Sequence, residues 1–185
     1  MTKIFAIYFK INLTQKPEWF DEFRDAYQGT KILHVTLVQP RFIEEDQVPN
    51  IKSKIQEVLN KYNFTDDIKK IIFNKLESGE GMDWKYVFML LAEENKTLIN
   101  FQKDLVVAMR RYSNYCDEPN KEYETNFKPH LTIGVNIEPK DKDKALRYFY
   151  SEYTCVGAIT ELILPVVKDR SVEEADNIKH YSVEI

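Results

Sequence analysis

An α+β domain, with two pseudo-symmetric sheets flanking a central cleft and helices on the outside, is what this sequence predicts. Three observations lead there. Strand-like and helix-like periods alternate along the chain, the pattern of a compact domain that layers helices on sheet. The order strand, helix, His-bearing strand, helix, strand occurs twice. The copies are joined by a connector too short to separate independent domains, within 185 residues, the common size of one.

The first copy opens with an apolar strand at 4–11. A helix follows over about 17–27, with Trp19, Phe23, Ala26 and Tyr27 on one face behind Pro17. A strand at 31–39 carries His34. A helix over 49–62 has Ile51, Ile55, Val58, Leu59 and Tyr62 as its stripe, and a strand at 68–77 ends the copy. Residues 78–82 hold two of the five glycines and form the connector, dividing lobes at about 1–78 and 82–185 whose strands can be exchanged.

The second copy begins with a nearly continuous apolar strand at 85–92. An amphipathic helix then aligns Leu98, Phe101, Leu105, Val106, Met109 and Tyr112. A strand at 128–136 carries His130; a helix over 139–153, a strand within 156–167 and a closing strand at 180–185 complete the chain.

Composition narrows the function. With 43% hydrophobic and 13% aromatic residues the chain can fill a core, and no stretch approaches the roughly 20 apolar residues of a bilayer span. The short run Ile4 to Phe9 lacks the features of a secretory signal, so a soluble, cytoplasmic monomer away from the membrane is expected. Cys116 and Cys155 are too few for a disulfide framework and lack zinc-site spacing, so both are read as reduced and structural. A net charge of -4 disfavours coating of long nucleic acid, while leaving room for a small nucleotide or an RNA end.

The chemistry is carried by histidine. Of three histidines, two open the same pattern, His34-Val35-Thr36-Leu37 and His130-Leu131-Thr132-Ile133. By ordinary residue usage such a pattern follows on the order of one histidine in a hundred. In a strand, alternate side chains share a face, so His34 and Thr36 project together, away from Leu33, Val35 and Leu37. The same holds for His130 and Thr132. With the aliphatic set buried, two imidazoles and two hydroxyls face the space between the copies. One imidazole can accept a proton while the other donates one. Threonine hydroxyls suit the non-bridging oxygens of a phosphodiester, and no metal or other cofactor is needed.

At these residues the chain resembles the 2H phosphoesterase superfamily, especially its 2'-5' RNA ligase-like or cyclic phosphodiesterase branch. The likeness extends to the element order, Pro129 before the second motif, and the closing segments Thr160 to Val166 and Tyr181-Ser182-Val183. It implies a bilobal fold and metal-independent attack on 2',3'-cyclic phosphates, related cyclic nucleotides or 2'-5' linkages. It also implies His130 as base and His34 as acid, with Thr36 and Thr132 holding phosphate. Many ligase-type relatives carry a basic residue after the second motif, where this chain has Gly134-Val135-Asn136.

Four further residues are candidates for substrate binding. Lys128 shares the face of His130 by alternation; Arg41 and Phe42 lie just past the first motif; Tyr181 could stack on a base. His180 lacks a paired threonine and is read as a surface residue. The charged groups at 140–144, 44–46 and 173–176 are read as solvated. The leading expectation is a cyclic phosphodiesterase. A non-catalytic nucleotide-binding or regulatory module and a 2'-5' RNA ligase are the alternatives.

Overall fold

The computed structural model describes residues 1–80, 85–168 and 179–185, with the side chains of 179 and 180 left out. The connector beyond Glu80, the acidic group at 173–176 and the His180 side chain fall outside this set.

Alternation builds the first strand, β1 (Thr2–Gln15): Phe5, Ile7, Phe9 and Ile11 are buried on one face, while Ala6, Tyr8 and Lys10 project from the other. A short helix, α1 (Phe20–Ala26), precedes β2 (His34–Glu44). The longer α2 (Val48–Leu59) has a proline in its first turn and buries Ile51, Ile55, Val58 and Leu59. A single turn, α3 (Asp66–Lys69), leads into β3 (Lys70–Glu80), and β4 (Tyr86–Ala92) returns beside it.

Asn95 caps α4 (Lys96–Ala108), its side chain accepting a hydrogen bond from the Leu98 amide at 3.0 Å. The chain continues through α5 (Asn120–Thr125), β5 (His130–Ile137), α6 (Lys142–Arg147), β6 (Cys155–Val167) and β7 (Lys179–Glu184). The expected helix at 139–153 is broken into α6 and two flanking 3-10 turns.

In place of two separate sheets, the strands form one seven-stranded antiparallel sheet in the order β2-β1-β6-β3-β4-β5, with β7 added beside β6. The joining element is β6. One of its edges pairs with β1 from Val156 to Val167; the other pairs with β3 over 155–158 and with β7 over 161–166. Between those two stretches Thr160 is an extra residue in the register against β1, a bulge that increases local twist where the sheet branches. Each lobe thus borrows from the other copy: β3 joins β4 and β5, and β6 and β7 join β1 and β2.

Helices cover one face of each lobe. Behind β1 and β2, Phe9 stacks on Phe101 of α4 at 5.3 Å, with α2 packed alongside. Behind β4 and β5, Phe23 of α1 and Phe149 pack on Phe88 at 5.9 and 5.7 Å. The opposite faces of β2 and β5 are left to form the cleft.

Candidate active site

Both motif histidines are the first residue of their strand, His34 of β2 and His130 of β5. Each is held in the same way. The Nδ1 of His34 lies 2.8 Å from the Ile32 carbonyl, and the Nδ1 of His130 lies 2.8 Å from the Lys128 carbonyl. A carbonyl only accepts, so each Nδ1 carries the proton and each neutral ring leaves its Nε2 as a free base. Two segments with almost no shared sequence outside the motif therefore fix the same tautomer and ring orientation.

Alternation then sets Thr36 and Thr132 beside the imidazoles, half-buried, while Val35, Leu37, Leu131 and Ile133 are buried behind them. Among the described residues, neither threonine hydroxyl has a protein hydrogen-bond partner. The two imidazoles are close enough to feel each other's charge. The His34 pKa is lowered from 6.5, first by burial and further by His130, with the bond to Ile32 opposing both.

The chain preceding His34 brings the strands together. Tyr27 accepts from the Val135 amide at 2.9 Å, and the Thr30 hydroxyl donates to the Thr132 carbonyl at 3.4 Å. Gly29 is pressed between α1 and β5: a Cβ there would stand 2.7 Å from the Ile133 carbonyl oxygen and 2.8 Å from Arg24. Only glycine fits so close an approach of backbone to backbone.

Cross-strand rows extend the site along the sheet. On the first lobe, Thr36 is followed by Tyr8, Ile163 and Ser182, and His34 by Lys10 and Glu161. On the second, Thr132 is followed by Met89 and Glu77, and His130 by Leu91 and Lys75. Tyr8 packs on His34 with ring centroids 4.8 Å apart. Burial and the neighbouring Glu161 raise its hydroxyl pKa, keeping it protonated. Tyr8 and Lys10 belong to no motif and were not among the candidates, although the alternation of β1 assigns both to the face opposite Phe5, Ile7 and Phe9.

The other candidates stand in different places. Lys128 precedes β5; its carbonyl holds His130 and its exposed ammonium lies 3.5 Å from Glu77. Arg41 faces the helices, where it is 1% exposed and paired with Glu124. It also donates to the carbonyls of Met109 and Tyr112, both at 2.9 Å, so its charge is committed inside the protein. This corrects its expected role at the substrate.

Phe42 pairs with Ile4, eight residues beyond His34 and on the order of 25 Å along an extended strand, too far to stack a base bound at the histidines. Tyr181 pairs with the buried Leu164 on the helix face, with the Lys52 ammonium 5.1 Å from its ring centre, and so points away from the cleft. In β7, the His180 backbone pairs with Pro165. Cys116 is half-buried; Cys155 is buried, and burial pushes its thiol up to about 12.

Among the described residues no group of three His, Cys, Asp or Glu side chains is arranged to hold a metal ion, and no helix is long and apolar enough to cross a membrane.

Comparison with solved structures finds the same architecture. Usb1 of Kluyveromyces marxianus superposes with a TM-score of 0.55 at 10% identity, covering 98% of each chain. Escherichia coli LigT in complex with 3'-AMP gives 0.53 at 10% identity over 100% of this chain and 97% of that one. The Usb1 structure with uridine monophosphate gives 0.52 at 10% identity, covering 97% and 98%. No curated protein matches by sequence. The profile of the 2'-5' RNA ligase superfamily, however, matches residues 14–167. With most of its length matched, both motifs included, the chain belongs to the 2'-5' RNA ligase superfamily of 2H phosphoesterases.

Proposed function

We propose that this chain hydrolyses a cyclic phosphodiester of a ribose, or a 2'-5' linkage, without a metal, by paired-histidine acid–base catalysis. The observation that carries the reading is the duplicated His-x-Thr geometry: two Nε2 atoms of fixed tautomer and two unpartnered hydroxyls on strands that meet. The ligands in the complexes of two proteins of this fold, 3'-AMP and uridine monophosphate, are of the matching size and charge.

With a 2',3'-cyclic phosphate between the strands, one neutral Nε2 takes a proton from water as its oxygen attacks phosphorus. The bond from phosphorus to one ribose oxygen breaks, and the other imidazole, protonated, gives that oxygen its proton. Thr36 and Thr132 donate to the non-bridging oxygens and hold the in-line geometry. The burial that lowers the His34 pKa keeps it neutral in the free protein, which suits the base; the family resemblance gives His34 the acid role. A bound phosphate favours a protonated ring beside it, so the proton that the acid gives up can be taken on with the substrate.

The experiment is a panel of 2',3'-cyclic mononucleotides, 2'-5' oligoadenylates and cyclic dinucleotides, assayed in EDTA. His34→Ala and His130→Ala should each lower kcat by about 10²- to 10⁴-fold, and the double variant by far less than the product. Thr36→Val and Thr132→Val should cost about ten- to a few hundredfold. Tight nucleotide binding with no turnover of any panel member would make this a binding module instead. Activity abolished by EDTA and restored by a divalent ion would overturn the metal-independent scheme.

A further inference from the structure

Beside the first motif lies a cavity of about 290 Å³, between the end of β1, α1 and the segment that leads into His34. Its lining holds four cations, Lys10, Lys16, Arg24 and Lys31, and one carboxylate, Asp21. In a chain of net charge -4 such a concentration is local, not compositional.

The partners of these cations leave positive charge over. Lys16 pairs with Asp21 at 2.5 Å and Lys10 with Glu161 at 2.6 Å. Arg24 donates to the Thr30 carbonyl, its Nε has no partner, and neither Arg24 nor Lys31 meets a carboxylate among the described residues. Four cations against two carboxylates give an excess of two.

The cavity adjoins the catalytic row. Lys10 is the cross-strand neighbour of His34, about 5 Å away between Cβ atoms, and Ile32, whose carbonyl orients His34, is also in the lining. The corresponding row on the other lobe puts the apolar Leu91 beside His130, with Lys75 one strand further away.

We propose that this cavity is a second anion site, and that it holds the phosphate next to the one attacked. Resting on the hydrolase reading above, it makes the preferred substrate an oligonucleotide end or a dinucleotide, not a mononucleoside cyclic phosphate. An excess of two charges neutralises one or two phosphates, which fits a short chain end and agrees with the acidic surface elsewhere.

The test compares a dinucleotide ending in a 2',3'-cyclic phosphate with the corresponding mononucleotide. Wild type should prefer the dinucleotide in kcat/KM by about 10- to 100-fold, the worth of one charge-assisted phosphate contact, and the preference should shrink as salt rises. Lys31→Glu and Lys16→Glu should each lower that ratio, whereas Lys54→Glu, on the exposed face of α2, should leave it unchanged. A second readout needs no turnover: inorganic pyrophosphate should shift the backbone amide NMR signals of Lys16, Arg24, Lys31 and Ile32, and the Lys16→Glu/Lys31→Glu double variant should lose those shifts.

Equal kcat/KM for the two substrates, or pyrophosphate shifts confined to the two motif strands, would overturn the second site. If wild type turns over neither substrate, the hydrolase reading fails, and the pyrophosphate titration alone decides whether the cavity takes phosphate.

Discussion

His34 shows how one residue's surroundings set its chemistry. Burial disfavours the charged ring, the Ile32 carbonyl favours it, and the neighbouring His130 disfavours it again; the net direction is downward from 6.5. The folded ring therefore binds a proton more weakly than the unfolded one. The stability that His34 contributes is present above 6.5 and is lost as pH falls through the lower folded value. Because burial is the largest cause and His130 the smallest, His130→Ala should raise the His34 pKa only part of the way back. Following the imidazole Cε1 proton by NMR in the wild type and in His130→Ala checks this. An unchanged or lower value in the variant would mean that the two rings do not share one cleft.

At the scale of elements, α5 and β2 are tied by a buried ion pair. Glu124 pairs with Arg41 inside the protein, accepts from the Gln39 amide at 2.7 Å and from the Tyr115 hydroxyl at 2.9 Å, and its backbone carbonyl accepts from Gln102 at 3.2 Å. Removing one partner of such a pair strands the other charge in the interior. Glu124→Ala should cost about 3–5 kcal/mol, while an Arg41→Met/Glu124→Leu double variant should recover much of that loss. Urea denaturation midpoints measure both; a single variant within about 1 kcal/mol of wild type would show that water reaches the pair.

Arg41 also marks where reading the sequence stops. Its partner lies 83 residues away, and nothing local distinguishes an arginine that faces a substrate from one that faces a buried glutamate. The six-residue α5 has no full apolar stripe, and α3 is a single turn, so neither carries a period to detect. His34, Thr36, His130 and Thr132 were legible because strand alternation fixes the shared face of residues two apart. The same alternation contained Tyr8 and Lys10, which only the cross-strand register connects to His34. Alternation assigns faces but not partners, which is why the sequence suggested two sheets where the chain forms one.

At the scale of the molecule, β6 makes the lobes inseparable. The first lobe, β2 and β1, is completed by β6 and β7 from the end of the chain; the second, β4 and β5, is completed by β3 from the first half. A chain divided between β3 and β4 leaves β1 of residues 1–80 without β6 at its edge and without α4 over its face, exposing the row Phe5, Ile7 and Phe9 that the complete core buries. Each buried side chain of this kind is worth roughly 1.5–3 kcal/mol, so losing a strand's share of the core exceeds the few kcal/mol by which domains are stable. Neither 1–80 nor 81–185 should fold alone: each should give an unstructured circular dichroism spectrum with poorly dispersed amide signals. Mixed in equal amounts, they should regain strand signal and, because each brings one His-x-Thr motif, activity that neither has separately. A dispersed spectrum from either fragment alone would show that its lobe holds a self-sufficient core and that the exchanged strands are not what joins the two.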